Sequence, residues 1–98
     1  MTIEIKRNTE ETIIKLVGRL DTTTAPALDK TIGEDIADVK NLVLDIKDLE
    51  YISSAGLRVL LSAQKKMKKI GSMKLINVRE LVMEIFEMTG FADILVIE

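Results

Sequence analysis

The 98-residue sequence predicts one α/β domain with the order β-β-α-β-α-β-α-β. Three observations predict it. Short apolar runs with a period of two alternate with longer stretches of helical period. Asn, Asp, Thr and Gly punctuate the junctions between them. The stretch Leu42-Val43-Leu44-Asp45-Ile46 is nearly all apolar, as a strand buried on both faces reads. From the second strand onward strands alternate with helices, so parallel pairing through right-handed crossovers is expected.

Ile3 and Ile5 alternate with polar residues, which predicts a short edge strand. Asn8-Thr9-Glu10-Glu11 is a turn, and Ile13, Ile14, Leu16 and Val17 make a second strand ended by Gly18. The two strands read as a hairpin, with the first as an antiparallel edge. Asp21-Thr22-Thr23-Thr24 supplies capping hydroxyls ahead of Pro26, which suits the first turn of a helix. Leu28, Ile32 and Ile36 give that helix one buried stripe. A helical period runs from Ser54 to Ile70, with Gly71 as its stop, and Met73 to Val78 is the next strand. Glu80 to Met88 is a third helix with Val82, Ile85 and Phe86 inward, and Ile94 to Ile97 is the last strand. No linker, repeat or low-complexity tract interrupts this order, so residues 1–98 form a single domain.

Composition removes several function classes. The 14 basic and 16 acidic residues nearly balance and are interspersed, unlike the basic excess of a nucleic-acid binder. The only aromatics are Tyr51, Phe86 and Phe91, too few for a base-stacking sheet. With no Cys and no His, the chain has no thiol nucleophile, no imidazole base and none of the usual zinc ligands. No cofactor or metal is expected. The amino-terminal stretch has no apolar core of a signal peptide and no run is long enough to span a membrane, so the expected compartment is the cytoplasm.

The stretch with most chemical content is YISSAGL, residues 51–57, where a strand-like run meets a helix. Ligands and partners of such sheets meet the carboxyl ends of the strands, and this stretch lies at one of them. With Ser54 set at zero, Arg58 falls at about 40°, Ser62 at about 80°, Lys65 at about 20° and Lys69 at about 60° on the wheel. Ser54 thus heads a polar stripe, while Leu60, Ala63, Met67 and Ile70 point to the core. Leu61 at about −20° and Leu57 at about −60° lie on or beside the Ser54 face. Leu61, ringed by Arg58, Lys65 and Lys68, is expected as an interface anchor; Leu57 either joins it or packs under a neighbouring element. Ser53 is placed as the helix N-cap, its oxygen accepting a backbone N–H.

Ser54 as a hydrolase nucleophile lacks both the G-x-S-x-G elbow and any His, and Lys65 and Lys66 lie about three turns away. Residues SSAGL also lack the glycines and lysine of a phosphate-binding loop. The expected protein is therefore not an enzyme. Pattern alone leaves two readings of the serines: plain caps, or a regulatory acceptor whose phosphate would sit in the favourable field of the helix N-terminus.

Residues 18–28 (GRLDTTTAPAL), 42–61 (LVLDIKDLEYISSAGLRVLL), the KKIGSMKLINV stretch and residues 85–95 resemble segments of the STAS domains of the anti-sigma factor antagonist family. The likeness covers nearly the whole chain. It implies a STAS fold, a mostly parallel sheet with an antiparallel edge strand and helices mainly on one face. The family signature usually reads Asp-Ser-Ser-Gly or Asp-Ser-Thr-Gly, with the first serine taking the phosphate. Laid on this chain, Ser53 stands at the acid, Ser54 at the acceptor, Ala55 at the second hydroxyl, and Gly56 matches. Ser53 remains an alternative acceptor. Asp21 matches a family acid near the same surface.

The resemblance implies a switch. The unphosphorylated domain binds an anti-sigma factor that is also a serine kinase of the GHKL class, freeing a sigma factor. Phosphorylation ends the binding and a PP2C-type phosphatase restores it; the ATP belongs to the partner. The expected partner surface is Asp21, Thr22, Ser53, Ser54, Gly56, Leu57, Arg58 and Leu61. The alternatives are a STAS interaction module without a sigma factor, such as a lipid-transport accessory subunit or sensory scaffold, or a small-ligand or nucleotide sensor.

Overall fold

A computed structural model describes residues 1–35 and 39–98. Strand β1 (Thr2–Arg7) pairs antiparallel with β2 (Thr12–Leu20), in register from Thr2 opposite Val17 to Arg7 opposite Thr12. The turn between them closes on the Asn8 side chain, whose Oδ1 accepts the backbone N–H groups of Glu10 and Glu11 at 3.0 and 2.7 Å. This Asx geometry is why Asn sits there. β2 does not stop at Gly18; the glycine takes φ 106° within the strand, beside a shift of register, and the strand runs on to Leu20.

Helix α1 (Ala25–Asp35) crosses to β3 (Asn41–Ile52), which pairs parallel with β2. Helix α2 (Ser54–Ile70) crosses to β4 (Ser72–Ile76), parallel to β3, and α3 (Glu80–Thr89) follows. The sheet order is β1-β2-β3-β4. One continuous core joins the strand residues Ile14, Leu16, Leu42, Leu44 and Leu75 to Leu28 of α1, Leu60 of α2 and Phe86 of α3. Val43 points to the other face, because side chains alternate along a strand, and it stands outside that core although it is itself buried. The three helices therefore share one face of the sheet.

Two further expectations need correction and one cannot be placed. The expected final strand is reduced to a bridge: a 3₁₀ turn at Phe91–Asp93 precedes it, and only Leu75 and Ile97 pair, in parallel. The Leu75 N–H donates to the Val96 carbonyl (2.8 Å) and the Glu98 N–H to the Leu75 carbonyl (2.9 Å). β4 is short and the segment lies beyond it, so Ile94 and Val96 remain half exposed while Leu95 is buried. Ile70 is exposed rather than core. The buried residues of α2, Gly56, Leu57, Leu60, Ala63, Gln64 and Met67, centre about 40° further round the helix than the expected stripe, which leaves Ile70 at its margin. Gly71 stops α2 as expected, in extended backbone at φ 175°; a side chain there would collide with the Lys40 carbonyl, which accepts the Ser72 N–H. Close approach, not backbone handedness, is what requires glycine at this helix end. Ile36, expected inside α1, lies outside the described residues.

Candidate functional site

The parallel strands β2 and β3 end side by side, and each hands the chain to the start of a helix. Beside β2, residues 21–24 form a hydrogen-bonded cap. Asp21 Oδ1 accepts the Thr23 N–H at 3.0 Å, the Thr23 hydroxyl at 2.7 Å and the Thr24 N–H at 3.2 Å. The Thr24 hydroxyl accepts the Asp21 N–H and donates to the Arg19 carbonyl, both at 2.8 Å. These donors, the Thr23 hydroxyl foremost, hold the Asp21 carboxyl below its ordinary pKa of 3.8. Asp21 is half-buried and Thr22 exposed. Pro26 stands in the first turn of α1, as its sequence position predicts.

Beside β3, the Ser53 N–H donates to the Leu20 carbonyl at 2.9 Å, tying the ends of β2 and β3 together. The Ser53 carbonyl accepts the Leu57 N–H at 2.9 Å, the first bond of α2. Ser53 is thus the N-cap by backbone position, with φ −96° and ψ 176°, but its side chain makes no capping bond. Its Oγ is buried and has no hydrogen-bond partner among the described residues. The expected side-chain cap is therefore corrected. Gly56 lets the helix start seat directly on β2 and β3: a Cβ there would lie 2.7 Å from Leu20 Cγ and 2.9 Å from Ile52 Cγ1.

Ser54, the first residue of α2, is exposed. Arg58, one turn on, is exposed as well, and no acidic residue stands in the first turn. A negative group on Ser54 would meet the positive end of the helix dipole and a guanidinium at i+4. An open groove of about 390 Å³ runs beside Ser54 between α1 and α2, lined by Thr22, Pro26, Asp29, Ala55, Arg58 and Val59 among others.

The structure thus brings Asp21, Thr22, Ser53, Ser54 and Arg58 to one end of the sheet. Leu61 is half-buried on the same helix. Leu57 is only 5% exposed and belongs to the core, and Gly56 is buried, so neither offers side-chain surface; both fix where Ser54 stands. One neighbouring pair was not anticipated. Arg19 and Tyr51 are opposed in the β2–β3 register, and the guanidinium lies 4.6 Å from the ring centroid. They are 32 residues apart in sequence, and no periodicity announces the pairing. Among the described residues, no group of three or more His, Cys, Asp or Glu is placed to hold a metal ion, and no helix is long and apolar enough to cross a membrane.

A four-stranded mixed sheet with helices on one face, and an exposed serine opening the helix after its central strand, is the arrangement of a STAS domain. The chain belongs to that family: the STAS domain model matches residues 2–98. The anti-sigma-B factor antagonist of Bacillus subtilis is 31% identical over 96 residues, covering 97% of this chain and 88% of that one. The anti-sigma-B factor antagonist of Listeria monocytogenes is 31% identical over 103 residues, covering all of this chain and 89% of that one. An anti-sigma factor antagonist from Mycobacterium paratuberculosis superposes with a TM-score of 0.88 at 25% identity, over 98% of this chain and 83% of that one.

Proposed function

We propose that this domain is an anti-sigma factor antagonist switched by phosphorylation of Ser54. The observation that carries the reading is the contrast between adjacent serines: the Ser54 side chain is exposed at a helix N-terminus, whereas the Ser53 Oγ is buried. A kinase can reach the first without unfolding the loop. The names of the relatives supply the partner class, an anti-sigma factor. The partner acts as the serine kinase and brings the ATP, and a PP2C-type phosphatase reverses the mark.

The partner rests on the end of the sheet formed by Asp21, Thr22, Ser54 and Arg58, extending down α2 to Leu61 and into the α1–α2 groove. A phosphate adds about −1.5 to −2 charges, which a packed interface cannot desolvate cheaply. It leaves the helix intact, because the dipole favours it. The switch therefore changes the surface and not the fold. The domain itself performs no catalytic step, and it works in the cytoplasm, where its partners are.

Phosphosite mapping after incubation with the cognate kinase and ATP tests the assignment. Label on Ser54 that disappears in Ser54→Ala is expected. Label mainly on Ser53 that persists in Ser54→Ala would overturn it.

A further inference from the structure

The sheet ends on β1, and among the described residues no strand lies along its outer edge. Alternate residues of an edge strand turn their N–H and C=O groups outward, unpaired. Ile3 and Ile5 stand opposite Leu16 and Ile14, which are fully buried, so both isoleucines face the helix side. Ile3 packs against the core, but Ile5 is 39% exposed. Thr2, Glu4 and Lys6 occupy the other face by alternation, and all three are exposed.

We propose that β1 is a self-association edge, pairing antiparallel with β1 of a second copy of this chain. The symmetric arrangement places a two-fold axis normal to the sheet, which keeps the helices of both copies on one side and sets like-facing residues opposite each other. Centring the axis on Glu4 or on Lys6 opposes identical charges. Centring it on Ile3 sets Glu4 against Thr2 and leaves Lys6 without a β1 residue opposite. Centring it on Ile5 sets each Glu4 against the Lys6 of the other copy and each Ile5 against its equivalent. That register satisfies two ion pairs on one face and covers the exposed Ile5 side chains on the other. The charges that keep the edge from pairing indiscriminately thus select one register.

The second copy is turned end for end, so the two Ser54 surfaces point to opposite poles and neither is covered. Self-association is therefore independent of the switch.

Sedimentation equilibrium of the whole chain, from micromolar to near-millimolar concentration, tests the proposal. The unaltered chain should show a monomer–dimer equilibrium. Glu4→Lys and Lys6→Glu should each weaken it by about tenfold or more, since each converts both ion pairs to like-charge contacts. Mixing these two variants should restore a heterodimer, because every opposed pair is then of opposite sign. The double variant Glu4→Lys/Lys6→Glu should restore the homodimer within one chain. A strictly monomeric unaltered chain would overturn the proposal. So would a mixture no tighter than its parts, with thermal melts showing both variants folded.

Discussion

Replacing Ser53 by Ala tests the most unusual local feature of the site. Were the Ser53 Oγ a capping acceptor, its removal would cost about 0.5–2 kcal/mol. The structure gives that oxygen no capping bond and buries it without a partner among the described residues. A buried hydroxyl left unpaired is a standing cost of about 1–3 kcal/mol, part of which its removal recovers. The backbone bonds to Leu20 and Leu57 remain in the variant, because they involve only the main chain. Ser53→Ala is therefore expected to range from neutral to about 1 kcal/mol more stable. In a domain of this size each kcal/mol moves the Tm by about 4–8 °C. Thermal and urea unfolding of both proteins measure the difference. A Tm lowered by more than about 4 °C would show that the oxygen caps the helix after all and would refute the reasoning.

Three further outcomes follow from the same geometry. Gly56→Val drives a branched side chain into Leu20 and Ile52 and should lose at least about 2 kcal/mol in urea unfolding, whereas a role in partner contact alone would leave stability unchanged. Leu61→Ala, at a half-buried position beside Arg58, should cost about 1 kcal/mol of stability and weaken anti-sigma factor binding by about tenfold; calorimetric titration at unchanged affinity would remove Leu61 from the surface. The depressed pKa of Asp21 contributes stability that is present above 3.8 and lost as pH falls through its lower folded value. Acid unfolding of Asp21→Asn should accordingly be flatter below pH 3.8 than that of the unaltered chain, and parallel curves would show that the cap does not depend on the charge.

The fold was legible where one physical signal dominated. Helix α2 could be read to both ends, because its period is sustained over 17 residues and a glycine follows. The β1–β2 hairpin was equally plain, from alternation on both sides of an Asn turn. The last strand misled because four consecutive apolar residues look buried, yet only Leu95 and Ile97 face inward at a sheet edge with little partner to pair with. The expected stripe of α2 lies about 40° out, because Ile70 is apolar yet exposed and Gln64 is polar yet buried. Gln64 is buried, donating from Nε2 to the Met73 carbonyl at 3.4 Å and accepting the Val96 N–H on Oε1 at 3.3 Å. Those partners are tertiary and cannot be seen in a helical wheel. At the site, the wheel separated Ser54 from the core correctly. It could not show that the Ser53 Oγ is buried, since that depends on tertiary packing a helical wheel does not carry.

The central claim is that a phosphate on Ser54 abolishes binding without unfolding the domain. Calorimetric titration of the cognate anti-sigma factor with the unmodified domain and with the domain phosphorylated on Ser54 measures this directly. The account predicts tight binding of the unmodified form and a loss of at least about a hundredfold on phosphorylation, the size of effect that follows from desolvating a charge in a packed interface. Equal affinity for the two forms, with phosphate confirmed on Ser54, would contradict it.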